Sequence, residues 1–110
     1  GMIIIDTAFL QPEHGTPYHF YNMTLEGLKE TFKMFKIVDS GVESYQSAGT
    51  TMNLLSNTFI SIIGDTQKKT ELEKILKQND FATYDKYILT TEKTKMAAGV
   101  YLTGLKQKIK

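Results

Sequence analysis

Tyr45-Gln46-Ser47-Ala48-Gly49-Thr50-Thr51-Met52-Asn53-Leu54-Leu55-Ser56 is the stretch on which the reading of this chain turns. A β-branched and aromatic run ends near Tyr45, small and polar residues turn the chain, and a helix opens at the threonines. Thr50 or Thr51 is placed to cap that helix, its hydroxyl accepting from a free N–H of the first turn. Met52, Leu55, Phe59 and Ile62 then recur at helical spacing and define one apolar face. A small-residue turn at a helix start gathers unpaired N–H groups at the positive end of the helix dipole, a setting that suits an anion. The same turn is also the ordinary way of joining a strand to a helix, so by itself it assigns no ligand.

Outward from this turn, the N-terminal side reads as strand, loop, strand and helix. Met2 to Leu10 is an Ile-rich buried strand interrupted only by Asp6 and Thr7, and Gln11-Pro12-Glu13-His14-Gly15 is a loop. Thr16 to Tyr21 alternates aromatic and polar side chains, as a second hairpin strand would. Thr24 caps a helix expected to run to about Lys36, with Leu25, Leu28, Phe32 and Phe35 as its buried stripe. Ile37-Val38 and Val42 to Tyr45 form a strand broken at the turn triplet Asp39-Ser40-Gly41.

On the C-terminal side the second helix ends near Gly64-Asp65. Thr66 to Gln78 has helix-favouring Lys, Glu and Leu content, although its narrow apolar set leaves helix or strand open. Asn79-Asp80 is a turn. Phe81 to Thr91, rich in Tyr, Ile and Thr, reads as a strand, and Glu92 to Lys95 as a polar turn. Met96 to Leu102 holds a return strand or loop, and Thr103 to Lys110 a basic tail. The expected fold is therefore α/β (α+β), a single domain spanning residues 1–110. It has a mixed sheet of about four to six strands packed with two or three helices. Gly1 ahead of Met2 reads as a tag remnant.

Composition narrows the chemistry. The 110 residues contain no cysteine, which removes thiol catalysis, disulfides and cysteine-ligated zinc. His14 and His19 are the only histidines, and no carboxylate cluster joins them, so no metal or cofactor is expected. A net charge of +1 gives no strong nucleic-acid footprint, though a neutral total can hide a local basic patch. All thirteen basic residues are lysine, so any anion is held without the bidentate arginine fork. Glycine-rich phosphate loops and nucleophile elbows are missing. The apolar run from Met2 to Ile5 is too short for a signal peptide or a membrane span, and a cytoplasmic location with no membrane partner is expected.

The motifs as they stand resemble a family of small proteins from archaeal viruses, phages and conjugative elements. The family is typified by a turreted icosahedral virus protein and includes the viral ring nucleases that act as type III anti-CRISPRs. Asp6-Thr7-Ala8-Phe9-Leu10 and the Gly15–Tyr21 strand match its opening block. Tyr45-Gln46-Ser47-Ala48-Gly49-Thr50-Thr51 lies on its central motif, and Thr94-Lys95-Met96-Ala97-Ala98-Gly99-Val100-Tyr101-Leu102-Thr103 on its later signature. The resemblance implies a homodimer with a ligand cleft across the two-fold axis, which in the ring nucleases holds cyclic tetra-adenylate.

At the position of the family's general-acid histidine this chain has Ala48, and at that of its arginine Lys95. The resemblance thus implies a non-catalytic homodimer that binds nucleic acid or a cyclic oligonucleotide, with no catalytic residue and no metal. Ser47, Gly49, Thr50 and Thr51 would supply donors and Lys95 the charge. A protein-interaction module and a degenerate ring nuclease acting on cyclic tetra-adenylate are the alternatives.

Overall fold

The computed structural model describes residues 1–12 and 22–107. Strand β1 (Met2–Ala8), helix α1 (Leu25–Thr31), strand β2 (Phe35–Gly41), helix α2 (Ala48–Ser61), helix α3 (Thr66–Leu76) and strand β3 (Gly99–Lys106) follow in order. Short 3₁₀ segments cover Ser44–Gln46, Phe81–Tyr87 and Thr90–Glu92. The three strands form one antiparallel sheet with β3 in the centre, in the order β1-β3-β2. The α/β class is as expected. The sheet has three strands among the described residues rather than four to six, and the hairpin strand expected over Thr16–Tyr21 lies outside them.

The sheet is built by alternation. Ile3 and Ile5 of β1 face inward beside Leu102 and Gly104 of β3, while Met2, Ile4 and Asp6 face out. Helix α1 closes the inner face. Leu28, Ala97, Val100 and Leu102 are buried there, with Ile3, Ile5, Phe9, Phe32 and Ile37 packed against them. Thr24 caps α1 as its sequence predicts, its Oγ1 accepting from Gly27 N at 3.0 Å.

Three expectations are corrected by the pairing of the sheet. Helix α1 stops at Thr31, not Lys36, because Phe35 is needed as the first residue of β2, opposite Lys106. Asp39-Ser40-Gly41 does not break a strand. It continues β2 through a bulge between Ile37 and Asp39, and Gly41, at φ 152°, ends it. Ser44 and Tyr45, expected at the end of a strand, lie with Gln46 in a 3₁₀ turn that docks on the sheet. The buried Gln46 donates to Asp6 Oδ1 at 2.5 Å, and its carbonyl accepts from Ala98 N at 2.8 Å.

Two further differences lie in the C-terminal half. Residues 81–91 coil as 3₁₀ turns instead of a strand. Asp80 caps them through Ala82 N, and Phe81, Ala82, Asp85 and Ile88 are turned inward at roughly helical spacing. The strand at the end of the chain is longer than expected, since β3 runs to Lys106 and takes in much of the basic tail. Thr66–Leu76 is helix, capped by Asp65 through Lys68 N at 2.9 Å. No helix among the described residues is long and apolar enough to cross a membrane.

Candidate functional site

The N-terminus of α2 lies between the sheet and the 3₁₀ turns of residues 81–87. Its cap is Ser47, three or four residues ahead of the threonines to which the sequence points. Ser47 Oγ accepts from Thr50 N at 3.1 Å and lies 3.0 Å from Thr50 Oγ1. Gly49 N donates at 2.8 Å to Asp85 Oδ1, so a carboxylate of the chain itself occupies part of the positive end of the helix dipole. Thr51 is fully buried and donates its hydroxyl to Met96 O at 2.5 Å, locking the helix onto the segment that leads into β3.

Gly49 is the reason the two elements meet so closely. A Cβ at this position would lie 2.6 Å from Ala82 Cα, from Phe81 O and from Asp85 Oδ1. No side chain larger than hydrogen fits between the helix and the Phe81–Tyr87 turn.

Beside this contact is a cleft of about 280 Å³. Ser44, Ser47, Ala48, Asp85, Lys86 and Lys93 line it, and Val42 and Ile88 supply its apolar wall. Of the residues the sequence singles out, Ser47 lines the cleft. Gly49 and Thr50 lie directly behind it with the N–H groups named above already engaged, and Thr51 is directed into the core. Lys95 is not among the lining residues. It is exposed and pairs with Glu92 at 2.9 Å. The cations that do line the cleft, Lys86 and Lys93, carry no motif in the sequence. Lys86 sits 5.2 Å from the centroid of the Tyr87 ring.

A larger concavity of about 450 Å³ lies between α2 and α3, and two of its polar lining residues bond to each other. There Asn53 Nδ2 donates to Asp80 Oδ1 and Asn53 Oδ1 accepts from Phe81 N.

Two tyrosines on the outer face of the sheet are electrostatically distinct. The Tyr45 hydroxyl donates to Asp6, and this hydrogen bond, with desolvation and the charges of Asp6 and Glu43, raises its pKa above the ordinary 10.0. Desolvation raises that of Tyr101, helped by its bond to Asp39 at 3.2 Å and the nearby carboxylate charge. Each tyrosine holds a proton against a neighbouring carboxylate.

No group of three or more His, Asp or Glu among the described residues could hold a metal ion, and His14 and His19 lie outside them. Comparison with protein-family models, with curated proteins and with solved structures finds no match for this chain.

Proposed function

We propose that this chain is a non-catalytic homodimeric binding protein whose ligand is a nucleic acid or cyclic oligonucleotide. The observation that carries this reading is the cleft at the mouth of α2. Lys86, Lys93, Ser44, Ser47 and Asp85 line one opening. Lys86 and Lys93 suit a phosphate, as point charges rather than bidentate clamps. Asp85, with one oxygen held by Gly49 N, suits a ribose hydroxyl or a base amino group. Val42 and Ile88 suit the face of a base. The volume is near the lower end of ligand pockets, which begin at about 300 Å³, and so fits one nucleotide unit per protomer.

Ala48 at the cleft has no proton to give, which supports binding without cleavage. Loss of a general acid typically costs about 10²–10⁴-fold in rate. The family resemblance, with its dimer and its phage or mobile-element setting, belongs to the same proposal.

A protein-interaction role is the second reading, favoured by the outer face of the sheet. Antiparallel sheets that meet water usually do so with polar side chains. Here Met2, Ile4, Val38 and Leu105 stand exposed on that side.

Fluorescence anisotropy with labelled cyclic tetra-adenylate, cyclic hexa-adenylate and short single-stranded DNA tests the proposal. Binding is expected to weaken at least about tenfold in Lys86→Ala/Lys93→Ala, the loss of roughly 1.4 kcal/mol or more from two phosphate contacts. Binding by none of the three, or binding unaffected by the double substitution, would overturn it.

A further inference from the structure

The cleft at the mouth of α2 adjoins a second space, an apolar recess of about 150 Å³ lined by Met52, Phe81, Tyr84, Ile88 and Met96. Ala48, Asp85 and Ile88 line both. The two spaces differ in chemistry. Ser44, Ser47, Lys86 and Lys93 line the cleft, and none of them lines the recess. A nucleotide is divided in the same way, into a charged phosphate and a flat aromatic base. An apolar cavity of about 150 Å³ holds a benzene ring. Thioethers adapt to an aromatic face, and aromatic side chains stack on bases.

Asp85 is the one charged residue that lines both spaces. Its Oδ1 accepts from Gly49 N at 2.8 Å, while Oδ2 has no hydrogen bond or ion pair among the described residues. A carboxylate offers acceptors only, with about four lone-pair directions, of which Gly49 uses one. Its best complement is a pair of adjacent donors, because parallel N–H···O bonds add specificity as well as strength. Of the common bases, guanine alone has two adjacent donors on its Watson–Crick edge, N1–H and the N2 amino group. Adenine and cytosine set one amino donor beside a ring nitrogen whose lone pair faces the carboxylate. Thymine and uracil flank a single N–H with two carbonyls.

We infer that the recess is a nucleobase subsite selective for guanine. Asp85 reads the N1–H and N2 donors, and Lys86 and Lys93 hold the attached phosphate. Guanine selectivity rests on the nucleotide-binding function proposed above and goes beyond it by naming the base. It departs from the adenine-only ligand, cyclic tetra-adenylate, that the family resemblance carries.

Fluorescence anisotropy of the full chain tests it, with labelled short oligothymidylates carrying one central guanine, hypoxanthine, adenine or cytosine. The guanine probe is expected to bind at least about tenfold more tightly than the adenine and cytosine probes, the worth of one hydrogen bond to a charged group. Hypoxanthine, which keeps N1–H but lacks the N2 amino group, is expected to fall between them. The carboxamide of Asp85→Asn can still accept from Gly49 N through its oxygen, but it sets a donor against the donors of guanine. The guanine and adenine probes are then expected to bind within about twofold of each other. Loss of the Asp85 charge strengthens binding of all the anionic probes together, so the ratio is the readout. Lys86→Ala/Lys93→Ala is expected to weaken all the probes and to leave the ratio unchanged.

Probes bound without a base preference, a preference for adenine or cytosine, or a guanine preference that survives Asp85→Asn would overturn the guanine subsite. Each would leave nucleotide binding standing. Binding of none of the probes would overturn both.

Discussion

Replacing Gly49 by alanine is expected to destabilise the protein, against the usual sense of a glycine-to-alanine change in a helix. Helix propensity alone favours alanine by at most about 1 kcal/mol, and less near the first turn. The added methyl would sit 2.6 Å from Ala82 Cα, Phe81 O and Asp85 Oδ1, and two of these are backbone atoms that cannot rotate aside. Overpacking of this kind costs about 1–3 kcal/mol. If the Phe81–Tyr87 turn retreats to relieve it, the Gly49–Asp85 hydrogen bond is lost, at about 1.5–3 kcal/mol for a bond to a charged group. The net expectation is a loss of about 1–3 kcal/mol, or roughly 4–12 °C in Tm at about 4 °C per kcal/mol for a chain of this length.

Thermal unfolding followed by circular dichroism at 222 nm measures it. Gly64→Ala is the control, because a Cβ there meets nothing within 4 Å. It is expected to move stability by no more than about 0.5 kcal/mol. A Gly49→Ala protein as stable as wild type would refute the close approach of α2 and the Phe81–Tyr87 turn, and with it the shape of the cleft.

Three other outcomes follow from the same structure. Tyr45 and Tyr101, with pKa values raised above 10.0, are expected to ionise late in an absorbance titration at 295 nm, above pH 10. Their hydrogen bonds therefore support folding in full below pH 10 and are lost as pH rises through the folded-state values; Tyr45→Phe removes one late transition. Thr51→Val keeps the shape but leaves Met96 O unpaired in a buried site, and urea unfolding is expected to show a loss of about 1–3 kcal/mol. Lys95→Ala removes only an exposed ion pair with Glu92 and is expected to change stability by less than about 1 kcal/mol. A larger change in its chemical denaturation curve would show that Lys95 has a structural partner beyond Glu92.

The sequence is most readable where one periodicity acts alone. The Thr24 cap stands where local chemistry puts it. Strand β1, read as a buried strand to Leu10, ends at Ala8 and buries only one face, and residues 66–76, left open between helix and strand, are helix. It misleads where two periods share residues. Phe35 continues the helical spacing of Leu28 and Phe32, but with Ile37 it also starts the two-residue alternation of β2, and pairing with β3 decides between them. Residues 81–91 have strand composition and lie against α2 rather than beside a sheet edge, so Asp80 capping and the inward spacing of Phe81, Ala82, Asp85 and Ile88 prevail. Asp39-Ser40-Gly41 has turn composition, and a bulge absorbs it within the strand.

At the site, the helix start was legible to within three or four residues, because small residues before an apolar stripe can mean little else. Its electrostatics were not legible. Asp85 is 36 positions away from the Gly49 N–H that it accepts from, and Lys86 and Lys93 reach the cleft only through the coiling of residues 81–92. The apolar stripe Met52, Leu55, Phe59 and Ile62 was visible in the sequence, but its destination was not. Three of its members remain on the surface, while Gly49, Thr51 and Ile60 provide the buried side of the helix.

Differential scanning fluorimetry with cyclic tetra-adenylate, cyclic hexa-adenylate and short single-stranded DNA, at low and physiological salt, tests the binding function most directly. A ligand selective for the folded state at about 100 times its Kd adds about 2.7 kcal/mol, close to 10 °C here. Such a shift is expected for at least one of the three, and is expected to be absent in Lys86→Ala/Lys93→Ala. No shift with any of them, at concentrations far above physiological, would contradict the binding function.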